Sequence, residues 1–267
     1  MPAPAHFPAY DNPLAAGPSV LRPLVAPCGT VRLFDREPLQ GWGSPSYASY
    51  VPPSAADCGG PWSQVRLDFM GEVAGVQFDR MGAFWIGDAQ VLRITTPEPS
   101  PDGIRWMLER DLTDYWPLFR APSTAALQID NTVDDTYTGV LYISANLTFY
   151  PATPSTAPAE EAVVIPLHTG LEGSAWEKSG TKDGQNRSFM LTLPQRNMRL
   201  AHVDVYASGH GCEEFWCARS LPRPLALGRG HSPRPRLVGA AGRGSVTLSG
   251  TRSPTCWLLR AWRRGLP

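Results

Sequence analysis

No apolar run in this 267-residue chain approaches the roughly 18 residues that a membrane-spanning helix needs. The opening stretch, MPAPAHFPAYDNPLAAGPSV, has neither a basic start nor an apolar region, so no signal peptide is expected within it. Also missing are the GxSxG elbow, the P-loop, the HExxH zinc helix and the dinucleotide fingerprint, which removes the best-marked enzyme classes. No convincing amphipathic helix occurs anywhere. Cysteine is scarce: Cys28, Cys58, Cys212, Cys217 and Cys256, an odd number that forbids complete internal pairing. Cys212 and Cys217 lack the close paired spacing and histidine neighbours of a zinc site, so no metal and no cofactor is expected.

The longest region without acidic residues is the C-terminal one. From Arg219 to Pro267 there are ten Arg and no Asp, Glu or Lys, which leaves 14 basic against 24 acidic residues in the rest. A basic tail can bind nucleic acid. Here the tail also lacks Asn, Gln, Ile, Phe and Tyr. That is the composition of a GC-rich reading frame translated out of register, so residues 219–267 are expected to be frameshifted or disordered. No nucleic-acid partner is expected. With Cys256 set aside, Cys28–Cys58 and Cys212–Cys217 remain as candidate disulfides. Asn146-Leu-Thr148 and Asn186-Arg-Ser188 are glycosylation sequons.

What is present is a succession of short strands. Residues 1–26 read as an extended, Pro- and Ala-rich lead-in. Val31 to Phe34 opens the strands, and Gly41 to Gly60 reads as loop. Trp62 to Phe69 alternates apolar Val65, Leu67 and Phe69 with Gln64, Arg66 and Asp68, the period of a half-buried strand. Gln77 to Met81 reads as the end of another, Ala83 to Ile86 and Gln90 to Thr95 as the next two. Pro97 to Gly103 is turn chemistry. Ile104 to Glu109 reads as strand, and Asp111 to Phe119 as a short helix limited by Pro117. Ala125 to Ile129 and Gly139 to Phe149 complete a first domain over 27–150. Residues 151–162 read as a linker and 163–218 as an incomplete second β domain, with Val163 to Pro166 a candidate edge strand. Short strands at this spacing predict an all-β, jelly-roll-like sandwich.

Two acidic sites carry the chemical interest. Asp79 lies beside Arg80 between apolar neighbours; taken alone, such a pair reads as structural. Glu213 and Glu214 precede Phe215 and Trp216, and on a strand only one of two adjacent carboxylates enters a given cleft. His202 reads as structural, whereas His210 sits in a Gly-rich turn that presents side chains to ligands. Paired carboxylates flanked by aromatics, with Trp106 and Trp216 among the candidates, suit hydrolysis at a sugar linkage.

CGTVRLF at Cys28, YVPPSAADCG at Tyr50, QFDRMGAFWIGDAQVLRITTPEPSPDGIRW at Gln77, NTVDDTYTGV at Asn131 and HVDVYASGHGCEEFW at His202 together resemble the peptide-N4-(N-acetyl-β-glucosaminyl)asparagine amidase A family. The resemblance spans roughly residues 20–220. It implies two jelly-roll-like domains, a metal-free glycoamidase acting on N-glycopeptides, and a secreted or endomembrane (vacuolar) setting. It implies Asp79 as the central carboxylate that activates water and Glu214 as the second acid. Glu98, Trp106, Trp216 and His210 are the expected substrate contacts. A monomer is expected. The pattern stops where the arginine-rich tail begins, so an inactive, truncated relative is also consistent with the residues. A non-catalytic carbohydrate-binding sandwich is the alternative.

Overall fold

The computed structural model describes residues 20–99, 101–159 and 161–167, together with strands at 187–191, 200–207, 236–240, 243–248 and 255–262. The first eight strands are β1 (Gly29–Leu39), β2 (Ser46–Tyr50), β3 (Trp62–Val73), β4 (Met81–Ile86), β5 (Ala89–Thr95), β6 (Ile104–Asp111), β7 (Ser123–Ile129) and β8 (Leu141–Pro151). They form two four-stranded sheets in the orders β1-β8-β3-β6 and β2-β7-β4-β5. Every pairing is antiparallel. All successive strands except β4 and β5 lie in different sheets, and that ordering is the doubly wound Greek key of a jelly roll.

Alternation explains the facing surfaces. Val65, Leu67 and Phe69 of β3 and Leu141, Ile143, Ala145, Leu147 and Phe149 of β8 are buried in one cluster with Phe84, Ile86, Leu127 and Ile129 of the opposite sheet. Edge-on aromatic pairs, Phe34 with Phe84 and Phe119 with Phe149, cross this core with ring centroids 6.1 and 6.0 Å apart. The Cys28–Cys58 disulfide pins the start of β1 to the short helix α1 (Ala55–Cys58). Nearby, the Trp62 indole donates to the Cys58 carbonyl at 2.9 Å.

Three local expectations change. Ser46–Tyr50, inside a stretch read as loop, is a strand, because its partner β7 supplies the pairing that its polar sequence does not advertise. Gln77–Arg80 is not the end of a strand. β3 stops at Val73, and Gly75 then adopts a φ of +103°, where a Cβ would also come within 2.7 Å of the Thr138 hydroxyl. The expected helix is a 3₁₀ turn, Thr113–Phe119, whose first amide donates to the Asp111 carboxylate at 2.8 Å.

Beyond the sandwich, β9 (Ala162–Pro166) lies at the edge of a three-stranded sheet in the order β11-β14-β9, with β11 spanning Leu200–Ala207 and β14 spanning Thr255–Trp262. A second sheet has the order β10-β13-β12, from Arg187–Leu191, Arg243–Leu248 and Arg236–Ala240. Strands β12 to β14 thus fall within residues 219–267. The Tyr115 hydroxyl donates to the Asp204 carboxylate and stands 3.2 Å from the Tyr206 hydroxyl, which ties the 3₁₀ turn to β11.

Candidate active site

Antiparallel pairing sends the β1–β2, β3–β4, β5–β6 and β7–β8 connections to one end of the sandwich, and hydrogen bonds show that they meet there. The Gly43 amide donates to Asp130 at 2.9 Å, and the Asn131 side-chain amide donates to the carbonyls of Leu39 and Gly139 at 2.8 and 3.1 Å. The Arg80 amide donates to the Thr96 hydroxyl and the Thr96 amide to the Arg80 carbonyl, both at 2.8 Å. Asp134 accepts from the backbone amides of Tyr137 and Thr136, which hold its carboxyl below the usual range and fix the turn that carries Tyr137.

Asp79 lies in the β3–β4 connection at this end. Its side chain is half-buried, and among the described residues its carboxylate makes no hydrogen bond or ion pair. Arg80 does not pair with it. Its guanidinium donates to the Gln77 side-chain amide oxygen Oε1 through Nε at 3.1 Å and Nη2 at 2.5 Å. It lies 6.0, 5.7 and 5.9 Å from the ring centroids of Trp42, Phe78 and Tyr137. Phe78 and Tyr137 also contact each other, with centroids 5.3 Å apart. Trp42 and Phe78 are 65% and 49% exposed, so this collar opens to solvent rather than into the core. A carboxylate without a partner, beside a cation and exposed aromatic faces, can take a proton from water while rings and guanidinium engage a polar ligand.

Glu98 is exposed in the β5–β6 connection, at the same end as Asp79. Trp106 sits differently. It is 8% exposed and its ring lies on Gly71, where any Cβ would come within 2.0 Å of it, so its faces are spent on packing. Asn146 is half-buried on β8, flanked in register by Arg32 and Asp68. His202 is exposed. His210, Cys212, Glu214, Trp216, Cys217 and Asn186 lie outside the described residues. Trp42, Gln77 and Tyr137 are site-end residues that pattern reading passed over; Trp42 was visible as an aromatic between two glycines, and Tyr137 as one inside a polar turn. Among the described residues, no group of three or more His, Cys, Asp or Glu could hold a metal ion.

Strand order and loop chemistry together define an all-β jelly roll with a carboxylate- and aromatic-lined end. The chain belongs to the family described as peptide N-acetyl-beta-D-glucosaminyl asparaginase amidase A, whose model matches residues 18–225. It is 28% identical over 285 aligned residues to peptide-N4-(N-acetyl-beta-glucosaminyl)asparagine amidase A of Prunus dulcis, covering 94% of this chain and 49% of the almond protein. It therefore spans about half the length of that relative. Among solved structures it is similar to PNGF-II, with a TM-score of 0.58 and 11% identity over 89% of this chain and 66% of that one. It is also matched by PNGase F, a glycosylasparaginase from Flavobacterium meningosepticum, with a TM-score of 0.47 and 10% identity over 89% of this chain and 97% of that one. The likeness to PNGF-II extends to the fold.

Proposed function

We propose that this chain carries the Asp79 half of a glycoamidase that hydrolyses the amide bond between Asn and N-acetylglucosamine in N-glycopeptides. The observation that carries this reading is the unpartnered Asp79 carboxylate at an aromatic loop end, in a member of the amidase A family. Asp79 takes a proton from water as the oxygen attacks the side-chain carbonyl carbon of the substrate Asn. The C–N bond then breaks, and Glu214 returns a proton to the departing nitrogen. The products are an Asp-containing peptide and a glycosylamine, which decays to ammonia and the reducing glycan. Arg80 and the rings around it suit an acetamido sugar, which offers carbonyl and hydroxyl oxygens and apolar ring faces. Glu98, His210 and Trp216 are further substrate contacts in this reading, and Trp106 is left to the core. The disulfide supports a secreted or vacuolar setting.

A binding-only sandwich is the second reading, favoured by the exposed Trp42 and Phe78 rings, which can hold a sugar face without hydrolysis. Incubation with an N-glycopeptide, followed by mass spectrometry for Asn converted to Asp, separates the two. Conversion is expected from the native sequence and none from Asp79→Asn. Undiminished turnover by that variant removes Asp79 from the mechanism, and binding without conversion by the native chain favours the second reading.

A further inference from the structure

Gln77 is a polar side chain used to capacity in a place where the proposed reaction assigns it no chemical part. It is 4% exposed. Its NH2 group donates to the carbonyls of Thr132 and Gly139 at 2.9 and 3.2 Å, and its oxygen accepts from the Phe78 amide at 3.1 Å as well as from Arg80. One buried amide thus joins the β3–β4 connection to both ends of the β7–β8 turn and grips the guanidinium beside Asp79. The acceptor is neutral, and that is the informative detail. Arg22, Arg32, Arg36, Arg66, Arg105 and Arg110 each face a carboxylate within 4 Å, whereas Arg80 has no such partner among the described residues. A carboxylate at position 77 would hold Arg80 as firmly but would quench its charge. An amide fixes the direction of the cation and leaves its field for a ligand.

We propose that Gln77 is a positioning residue, which orients Arg80 inside the Trp42–Phe78–Tyr137 collar for an oxygen of the bound glycopeptide. The inference rests on the reading of the Asp79 end as the substrate site. Gln77 acts through Arg80, so its removal has no separate effect once Arg80 is gone.

The test is a double-mutant cycle on the full chain, with Gln77→Ala, Arg80→Ala and the double variant placed in the Asp79→Asn background. Glycopeptide affinity is measured by calorimetry, which needs no turnover. Gln77→Ala is expected to weaken binding about tenfold, the scale of one hydrogen bond to a charged group. Arg80→Ala should weaken it at least as much, and the double variant no more than Arg80→Ala. Losses that multiply overturn the proposal, as does a fall in melting temperature with affinity unchanged, since a purely structural glutamine behaves in those ways. Absence of Asn-to-Asp conversion by the native sequence, with the coupling intact in the Asp79→Asn background, sinks the glycoamidase reading and leaves Gln77 in its role. Should the chain bind no glycopeptide, the Arg80 Nε–H NMR signal decides. Protection lost in Gln77→Ala supports positioning, and protection retained overturns it.

Discussion

The two sheets of the sandwich share one core but treat their outer faces in opposite ways. On β1-β8-β3-β6 the outer face is a lattice of ion pairs. Glu72, with its side chain 4% exposed, accepts from Arg36 at 2.5 Å and Arg105 at 3.1 Å, and Arg66 lies 2.9 Å from Asp68 and 3.9 Å from Glu109. Arg36 reaches Glu72 from a β-bulge, where its φ is +51°. On β2-β7-β4-β5 the outer face carries Ala83, Trp85 and Ala126, all buried in a second apolar cluster. Gly82 through Ile86 are therefore buried on successive positions, inward and outward alike. One sheet meets solvent through paired charges, while the other is sandwiched on both sides. Beyond the first core, β9 and β14 lie against β5, and β11 meets the 3₁₀ turn and β6 through Asp204.

The sharpest way to break this comparison is to place the same charge on each outer face. Ala126→Glu puts a carboxylate at a position with 0% exposure, packed with Ala83 and Trp85, and should cost at least about 5 kcal/mol or prevent folding. Met107→Glu on β6, at 59% exposure, should change the unfolding free energy measured in urea by no more than about 0.5 kcal/mol. Equal effects would show that the two faces are not different in kind. A smaller effect tests the ion-pair lattice itself. Removing both Arg36 and Arg105 strands the Glu72 carboxylate under the sheet surface. The expected loss is about 3 kcal/mol, the lower end for a broken buried pair because both arginines are partly exposed. A loss indistinguishable from zero would mean that water already satisfies Glu72.

The same contrast decides what could be read before the structure. Alternation in Trp62–Phe69 announces its strand because its two faces meet different surroundings, and the inward set named from it is the core set. Ser46–Tyr50 hides because its short, polar-rich sequence owes its form to β7, a tertiary effect with no local signal. Asp79 was legible as a candidate from its neighbours in the chain. Its surroundings were not, because Trp42, Gln77 and Tyr137 come from three connections whose convergence depends on the strand order. Trp106 misleads for a related reason: a tryptophan in a strand reads alike whether its ring faces a ligand or covers a glycine, and here Gly71 makes room for it.

Tyr50 probes the seam between the sheets and has the smallest expected effect. It ends β2, has 0% exposure, packs edge-on against Phe119 at 5.9 Å and donates its hydroxyl proton to the Phe119 carbonyl at 2.8 Å. Burial pushes its phenol well above the ordinary range, because the ionised form would sit in the core without water. The folded chain thus holds this proton to higher pH than the unfolded chain does. Its contribution is fully present below the ordinary phenol value of about 10 and is lost as pH rises above it. Tyr50→Phe removes the hydrogen bond and should cost about 1 kcal/mol at neutral pH. In urea titrations between neutral pH and about pH 11, spanning the ordinary phenol value, the native chain should lose stability more steeply than Tyr50→Phe, so the gap between them narrows. Parallel curves would place the alkaline titration elsewhere and leave the Tyr50 hydroxyl as an ordinary, replaceable donor.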